Sequence, residues 1–159
     1  MQKTGVEKGD EMERSHIIEL LNDLIQLDVD AVEAYSHAIK HMEYPDIRRR
    51  LVDFQDDHNN HVRDLSAMVK QLDGNPLKPT PDLRGYLLEG FTALKSLTGT
   101  KGAMEAMLTN EKITNRRYEE AAALDLPEDV MKLVKNNWSQ EKRHLMFIEE
   151  VLTIPRREL

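Results

Sequence analysis

The chain has 159 residues, no cysteine, 40% hydrophobic residues and a formal net charge of −7. This length favours one domain, and the lack of cysteine excludes disulfides, thiolate metal sites and cysteine nucleophiles. The negative charge argues against nucleic acid as a partner. No stretch reaches the ~20 apolar residues of a membrane span, and the polar start shows no signal-peptide pattern, so we expect a cytoplasmic protein.

The first predicted helix carries a single charge on its apolar face. Residues 1–13 are polar and predict a flexible tail, and Ser15 is the predicted N-cap of the helix that follows. Apolar residues then recur every three or four positions, with Asp28 as the only charge among them. We expect the helix to end before Pro45, because the residue preceding a proline avoids the helical conformation.

The second predicted helix places two histidines in the middle of its apolar face. Asp46 is its predicted N-cap, and Gly74 is expected to end it as a left-handed cap. His58 and His61 lie one turn apart among the apolar residues. Since few residues separate the first two helices, they should pack antiparallel.

A proline-rich stretch separates the two halves of the chain. Residues 73–83 contain one glycine and three prolines, and they are long enough to cross the end-to-end length of a helical bundle. Residues 86–97 predict a short helix, and the glycines of residues 98–102 should break or kink it. The main third helix follows, with Glu111 as the central charge of its apolar face.

The last predicted helix carries a Glu-x-x-His pair at its centre. Asp125 is a candidate N-cap, Pro127 falls in the predicted first turn, and the helix should run to about residue 152. Glu141 and His144 leave the same helix face, which is otherwise mostly apolar. Residues 155–159 are predicted to be a loose C-terminal end.

The two halves form a quasi-repeat. Helices 1 and 3 each carry an acid followed by a tyrosine seven residues later: Asp28 and Tyr35 in helix 1, and Glu111 and Tyr118 in helix 3. Helices 2 and 4 each carry two polar residues one turn apart: His58-x-x-His61 in helix 2 and Glu141-x-x-His144 in helix 4. These sets lie at similar depths along their helices and should converge on one layer. The sequence therefore predicts an all-α, antiparallel four-helix bundle over residues 14–154, with a long crossover between helices 2 and 3.

Three carboxylates and three imidazoles in one layer indicate a metal site. The predicted ligands are Asp28, His58, His61, Glu111, Glu141 and His144. Each of them alone is more simply explained as a hydrogen-bonded core residue, whereas their joint placement favours first-row divalent ions. Six ligands can hold two ions if carboxylates bridge, or can surround one.

Over about residues 15–152 this arrangement resembles the ferritin-like superfamily, including bacterioferritin and rubrerythrin. In those proteins helices 1 and 3 each supply a Glu, often seven residues before a Tyr, and helices 2 and 4 each supply Glu-x-x-His. The part from Leu94 through Glu111 to Tyr118 also resembles a bacterial ferritin-like family of unknown function. The resemblance implies a ferritin-like bundle with two iron ions; zinc and manganese are the alternatives.

Two positions depart from that pattern. Asp28 stands where Glu is usual, and its side chain has a shorter reach. His58 stands where a Glu commonly bridges two irons, and neutral imidazole does not normally bridge. The neighbouring Asp57 could take over that role, but it lies off the apolar face.

The sequence is compatible with two classes of function. The first is a di-metal protein, an oxidoreductase or iron handler, that uses dioxygen or peroxide. The second is a non-enzymatic, structural or stress-related helical protein with a degenerate or zinc-occupied site. A storage cage is disfavoured because cage ferritins usually carry a further short helix. Metal ions are the expected partners, and a homodimer is the default assembly.

Overall fold

A computed structural model describes residues 4–78 and 99–155, with side chains from Glu13 onward. Within these ranges the chain forms four helices and no strand: α1 Thr4–His41, α2 Pro45–Gln71, α3 Gly99–Ala122 and α4 Glu128–Leu152. The helices pack together as a four-helix bundle, which confirms the predicted fold class. None of these helices combines the length and the apolar character that a membrane crossing requires.

Contacts between the helices give their directions. Arg14 near the start of α1 meets Asp73 just beyond α2, so α1 and α2 are antiparallel. The opposite end of α1 meets the start of α3, where the Glu43 N–H donates to the Thr100 hydroxyl at 3.3 Å. The end of α2 and the start of α3 therefore lie at opposite ends of the bundle, as the predicted long crossover requires. The predicted helix 86–97 lies outside the described residues.

The apolar core is divided into two clusters by a polar layer. One cluster surrounds Tyr35, Phe54 and Ile148, and the other surrounds Leu24 and Val134. Side chains from all four helices contribute to both clusters. Burial of these faces stabilises the bundle by roughly 25 cal/mol per Å² of apolar surface, and it holds the intervening polar side chains at a fixed depth.

Several predicted helix ends were wrong. The first helix begins at Thr4, so Ser15 lies inside α1 and does not cap it. The second begins at Pro45, with Tyr44 at the N-cap position, and Asp46 therefore lies in its first turn. The missing proline N–H removes one donor that would otherwise need a cap, which explains a start without a side-chain cap.

The fourth helix also starts later than predicted. Pro127 occupies the N-cap position instead of the first turn, and its carbonyl accepts the first helical bond, from Met131 N–H. Asp125 does not cap the helix, and Asp129 instead accepts from the N–H of Val130. Local side-chain acceptors are interchangeable over a few residues, so sequence alone placed this end imprecisely.

The end of α2 uses a different residue from the one predicted. Asp73, with φ of 58°, is the left-handed residue, and the Gly74 N–H bonds the Val69 carbonyl at 2.9 Å. This is a Schellman arrangement with aspartate in the position that glycine usually takes. Gly74 is instead constrained by space, because a Cβ there would lie 2.9 Å from Ile18 side-chain atoms.

The remaining boundaries are the start of α3 and the two ends of the chain. Gly99 begins α3 with φ of +82°, within the predicted break, but Gly102 lies inside the helix. Residues 4–13 belong to α1, while residues 1–3 and 156–159 lie outside the described ranges. The flexibility of residues 1–13 and the bundle boundaries at residues 14 and 154 stay predictions.

Candidate metal centre

The polar layer contains all six predicted ligand residues. Each of the four helices contributes at least one of them, and five are fully buried, with His61 at 1% exposure. Such charged and polar groups are costly to bury between two apolar clusters unless partners compensate them. The nitrogen and oxygen atoms fall into two quartets, and within each quartet the four donor atoms lie within 4.8 Å of one another.

The first quartet consists of Asp28, His58, His61 and Glu141. Its atoms are closely spaced: Asp28 Oδ1 lies 2.7 Å from His58 Nδ1 and 3.2 Å from His61 Nδ1. Glu141 Oε1 completes it, 3.4 Å from His58 Nδ1 and 3.2 Å from His61 Nδ1. Ligands about 2.0–2.2 Å from a shared tetrahedral ion stand at similar separations.

The second quartet consists of His58, Glu111, Glu141 and His144, and it is more open. His144 Nδ1 lies 3.9 Å from Glu111 Oε2 and 3.7 Å from Glu141 Oε2. The other ring nitrogen of His58, Nε2, lies 3.7 Å from Glu111 Oε1. The two quartets therefore share His58 and Glu141. Each shared side chain has one atom close to other members of the first quartet and its second atom within 3.7 Å of a member of the second.

Two buried tyrosines cross between α1 and α3. Tyr35 on α1 donates its hydroxyl to Glu111 on α3 at 2.5 Å, and Tyr118 on α3 donates to Asp28 on α1 at 2.5 Å. Burial, reinforced by the neighbouring carboxylates, raises the pKa of both tyrosines well above the usual value. Both hydroxyls therefore stay protonated and hold the two acids in place.

Two residues outside the predicted set orient the histidines. Nε2 of His61 lies 2.7 Å from Gln140 Oε1, and Nε2 of His144 donates to Asp57 Oδ2 at 2.9 Å. The bond from His144 holds the pKa of Asp57 below its usual value. Both rings consequently turn Nδ1 toward the middle of the polar layer. Outer partners fix the rings of metal-bound histidines in the same way.

The sequence contained a signal for these two partners. Asp57 directly precedes His58, and Gln140 directly precedes Glu141, so the quasi-repeat extends by one residue in each half. Each partner contacts the histidine of the other half rather than its own. The suggestion that Asp57 replaces a bridging acid is not what the structure shows, because its carboxylate lies behind His144, at the edge of the layer.

Opposite charges dominate the electrostatics of the layer. Burial alone lowers the pKa of His61, but the hydrogen bond to Asp28 and the nearby Glu141 outweigh burial and raise it to about 10. The same competition raises the pKa of His58 well above its usual value, with Glu141 as the strongest favourable charge. Burial raises the pKa of Glu141, but the histidine charges around it outweigh burial and lower it. Without an ion, protons therefore balance the carboxylates.

Even with these protons, several buried nitrogen and oxygen atoms of the layer have no hydrogen-bond partner. Seven buried side-chain atoms of the described residues have no hydrogen-bond partner. Two belong to Asn110, and the other five are His58 Nε2, Glu111 Oε2, both Glu141 carboxylate oxygens and His144 Nδ1. An unsatisfied buried polar atom costs about 1–3 kcal/mol. The five atoms of His58, Glu111, Glu141 and His144 all belong to residues of the second quartet. The donor set fits first-row divalent ions, which imidazole and carboxylate bind together.

The sequence profile of one family, described as a domain of unknown function (DUF2383), matches residues 16–124. The chain belongs to this family. The match covers α1 from residue 16 onward and all of α2 and α3, with Asp28, His58, His61 and Glu111, but it ends before the helix that carries Glu141 and His144. A search of curated proteins found no match.

Proposed function

We propose that this protein is a ferritin-like metalloprotein whose bundle holds two ions, most simply iron, and that it handles iron, dioxygen or peroxide. The observation that carries the proposal is the set of unpaired buried donor atoms in two overlapping quartets. A hydrogen-bonded core would pair these atoms with one another or with neighbouring side chains. Here the nitrogen and oxygen atoms of each quartet come from three helices and lie within 4.8 Å of one another.

The chain's own residues would hold and shield the pair. Glu141 has one carboxylate oxygen toward each quartet, so it is the natural bridging acid. Asp28 and Glu111 would each hold one ion from opposite sides, fixed by the crossed tyrosines. The apolar clusters on both sides exclude bulk water from the layer.

Bound iron would supply the electrons for reduction of dioxygen or peroxide, chemistry that no side chain here provides. Manganese and zinc suit the same donors. We also propose that the protein works in the cytoplasm and forms a homodimer, since isologous pairs are the commonest assemblies of soluble proteins.

Metal content and ferrous oxidation test this proposal. Protein purified without a nickel column should contain near-stoichiometric metal and should oxidise added ferrous ion. The isosteric variant Glu141→Gln removes the shared carboxylate and should lose both properties, whereas Glu149→Gln, an exposed acid on the same helix, should keep them. Oxidation at the same rate in the two variants would refute the proposed centre.

The second candidate is a helical protein in which the site is degenerate or holds zinc without catalysis. The observation in its favour is His58, which removes one carboxylate from the layer. It requires that zinc raises the melting temperature while ferrous ion is not oxidised above the Glu141→Gln control. Unchanged thermal stability with iron, zinc and manganese would leave only a structural bundle.

A further inference from the structure

His58 differs from the other two histidines of the layer in what its ring nitrogens contact. In His61 and His144, Nδ1 points inward and Nε2 is held by an outer partner. In His58 both nitrogens point inward. Nδ1 lies 2.7 Å from Asp28 in the first quartet, and Nε2 lies 3.7 Å from Glu111 in the second and has no hydrogen-bond partner.

The absence of an outer partner is unusual for a histidine that binds one ion. Metal-bound histidines almost always donate their second N–H to a carboxylate, carbonyl or water, which fixes the ring. His58 is completely buried, and no acceptor occupies a hydrogen-bonding position at its Nε2 among the described residues. Its second nitrogen instead lies 3.7 Å from Glu111 Oε1 in the other quartet.

The quasi-symmetry of the bundle also places His58 between the two quartets. His58 on α2 occupies the position that Glu141 occupies on α4, and these two residues are the members common to both quartets. Glu141 offers a separate oxygen to each quartet. His58 offers a separate nitrogen to each, so both shared residues have the geometry of a bridge.

We propose that His58 bridges the two ions as an imidazolate, with Nδ1 bound in the first quartet and Nε2 bound in the second. This inference rests on the proposed metal centre. Two metal–nitrogen bonds form, and both N–H bonds of the protonated His58 ring break, with loss of two protons to solvent. Deprotonation of a coordinating group by a bound cation is ordinary metal chemistry. The resulting anion restores both the bridge and the negative charge that a histidine at this position otherwise removes.

The bridge has a consequence for the spacing of the ions. With metal–nitrogen bonds of about 2.1 Å on opposite sides of the ring, the ions stand roughly 6 Å apart. A pair bridged only by carboxylates stands about 3.5–4 Å apart. His58 would thus determine the separation of the ions, and imidazole donors at both positions suit iron as well as zinc and copper.

A crystal structure of the zinc-loaded full-length protein, with the anomalous signal of zinc, tests the bridge directly. We expect two peaks per chain, roughly 6 Å apart on opposite sides of the His58 ring. His58→Glu supplies a carboxylate bridge and should bring the peaks to about 3.5–4 Å. In solution, His58→Gln should weaken the second zinc by more than the roughly 10- to 100-fold that loss of an outer partner costs.

The controls separate this inference from the proposed function. His41→Gln, at an exposed histidine of α1, should bind two zinc ions like the unaltered protein, and circular dichroism shows whether each variant folds. Two peaks about 3.5–4 Å apart in the unaltered protein, or a single peak, would overturn the bridge while metal binding stands. Protein that binds neither zinc, iron nor manganese would overturn both proposals.

Discussion

Asp57 offers a sharp test of the outer contacts, because it can be neutralised without changing its shape. Its carboxylate accepts from Nε2 of His144 at 2.9 Å, and its side chain is 28% exposed. In Asp57→Asn the amide oxygen can still accept this bond, so the ring keeps its orientation. The variant therefore removes the negative charge behind the ring and little else.

The expected loss follows from that charge. A carboxylate behind a metal-bound histidine raises the basicity of the ring, and its removal typically weakens metal binding about 10- to 100-fold, or roughly 1.4–2.8 kcal/mol. Because water reaches part of Asp57, we expect the lower end, about tenfold. The loss should fall on one ion only, because His144 belongs to the second quartet and not to the first.

Zinc titration against a chromophoric chelator measures the two binding steps. Asp57→Asn should shift one step about tenfold and leave the other in place. Asp56→Asn makes the same charge change at the neighbouring exposed position and should shift neither. If the two variants gave the same titration curve, or if both steps moved together, Asp57 would have no specific role behind His144.

Three further results are expected. Raising the pH of metal-free protein from about 6.5 to 10 should lower its free energy of unfolding by on the order of 4 kcal/mol. The raised pKa of His61 contributes stability that is present below pH ~6.5 and is lost toward about 10. A free energy of unfolding, measured by urea denaturation, that stayed constant with pH and matched that of His61→Gln would contradict this. Tyr118→Phe should destabilise the metal-free protein by about 1.5–3 kcal/mol, measured by urea denaturation, since it leaves Asp28 without its 2.5 Å donor; a loss below ~0.5 kcal/mol would refute it. Gly74→Ala should cost about 1–3 kcal/mol by thermal denaturation, and much less in an Ile18→Ala background that removes the clash; equal costs in both backgrounds would rule out the clash.

The helical periodicity of the sequence was enough to predict the fold class and the depth of the polar layer. Apolar residues at spacings of three and four fix which face of each helix is buried, and a charge on that face must then lie in the core. Glu111 and Glu141 were placed in this way, and both are fully buried. The helix ends were less predictable, as Ser15 and Asp125 show, because several nearby side chains can serve as caps.

The identity of each residue's partner depended on the packing of the helices. Asp57 lies at the edge of the α2 apolar face, where periodicity alone favours solvent, yet it reaches His144 on α4. Tyr35 and Asp28 are seven residues apart on α1, but each pairs with α3 and not with the other. A one-dimensional pattern specifies faces and depths, whereas it does not specify which helix is the neighbour.

By itself, therefore, the sequence determined four amphipathic helices and a layer of six donor residues, because helical spacing and burial are local properties of the chain. Only the tertiary structure decided how those donors divide into two quartets and that His58 and Glu141 belong to both. That division depends on helix order, direction and rotation about the bundle axis, which are set by packing over the whole core.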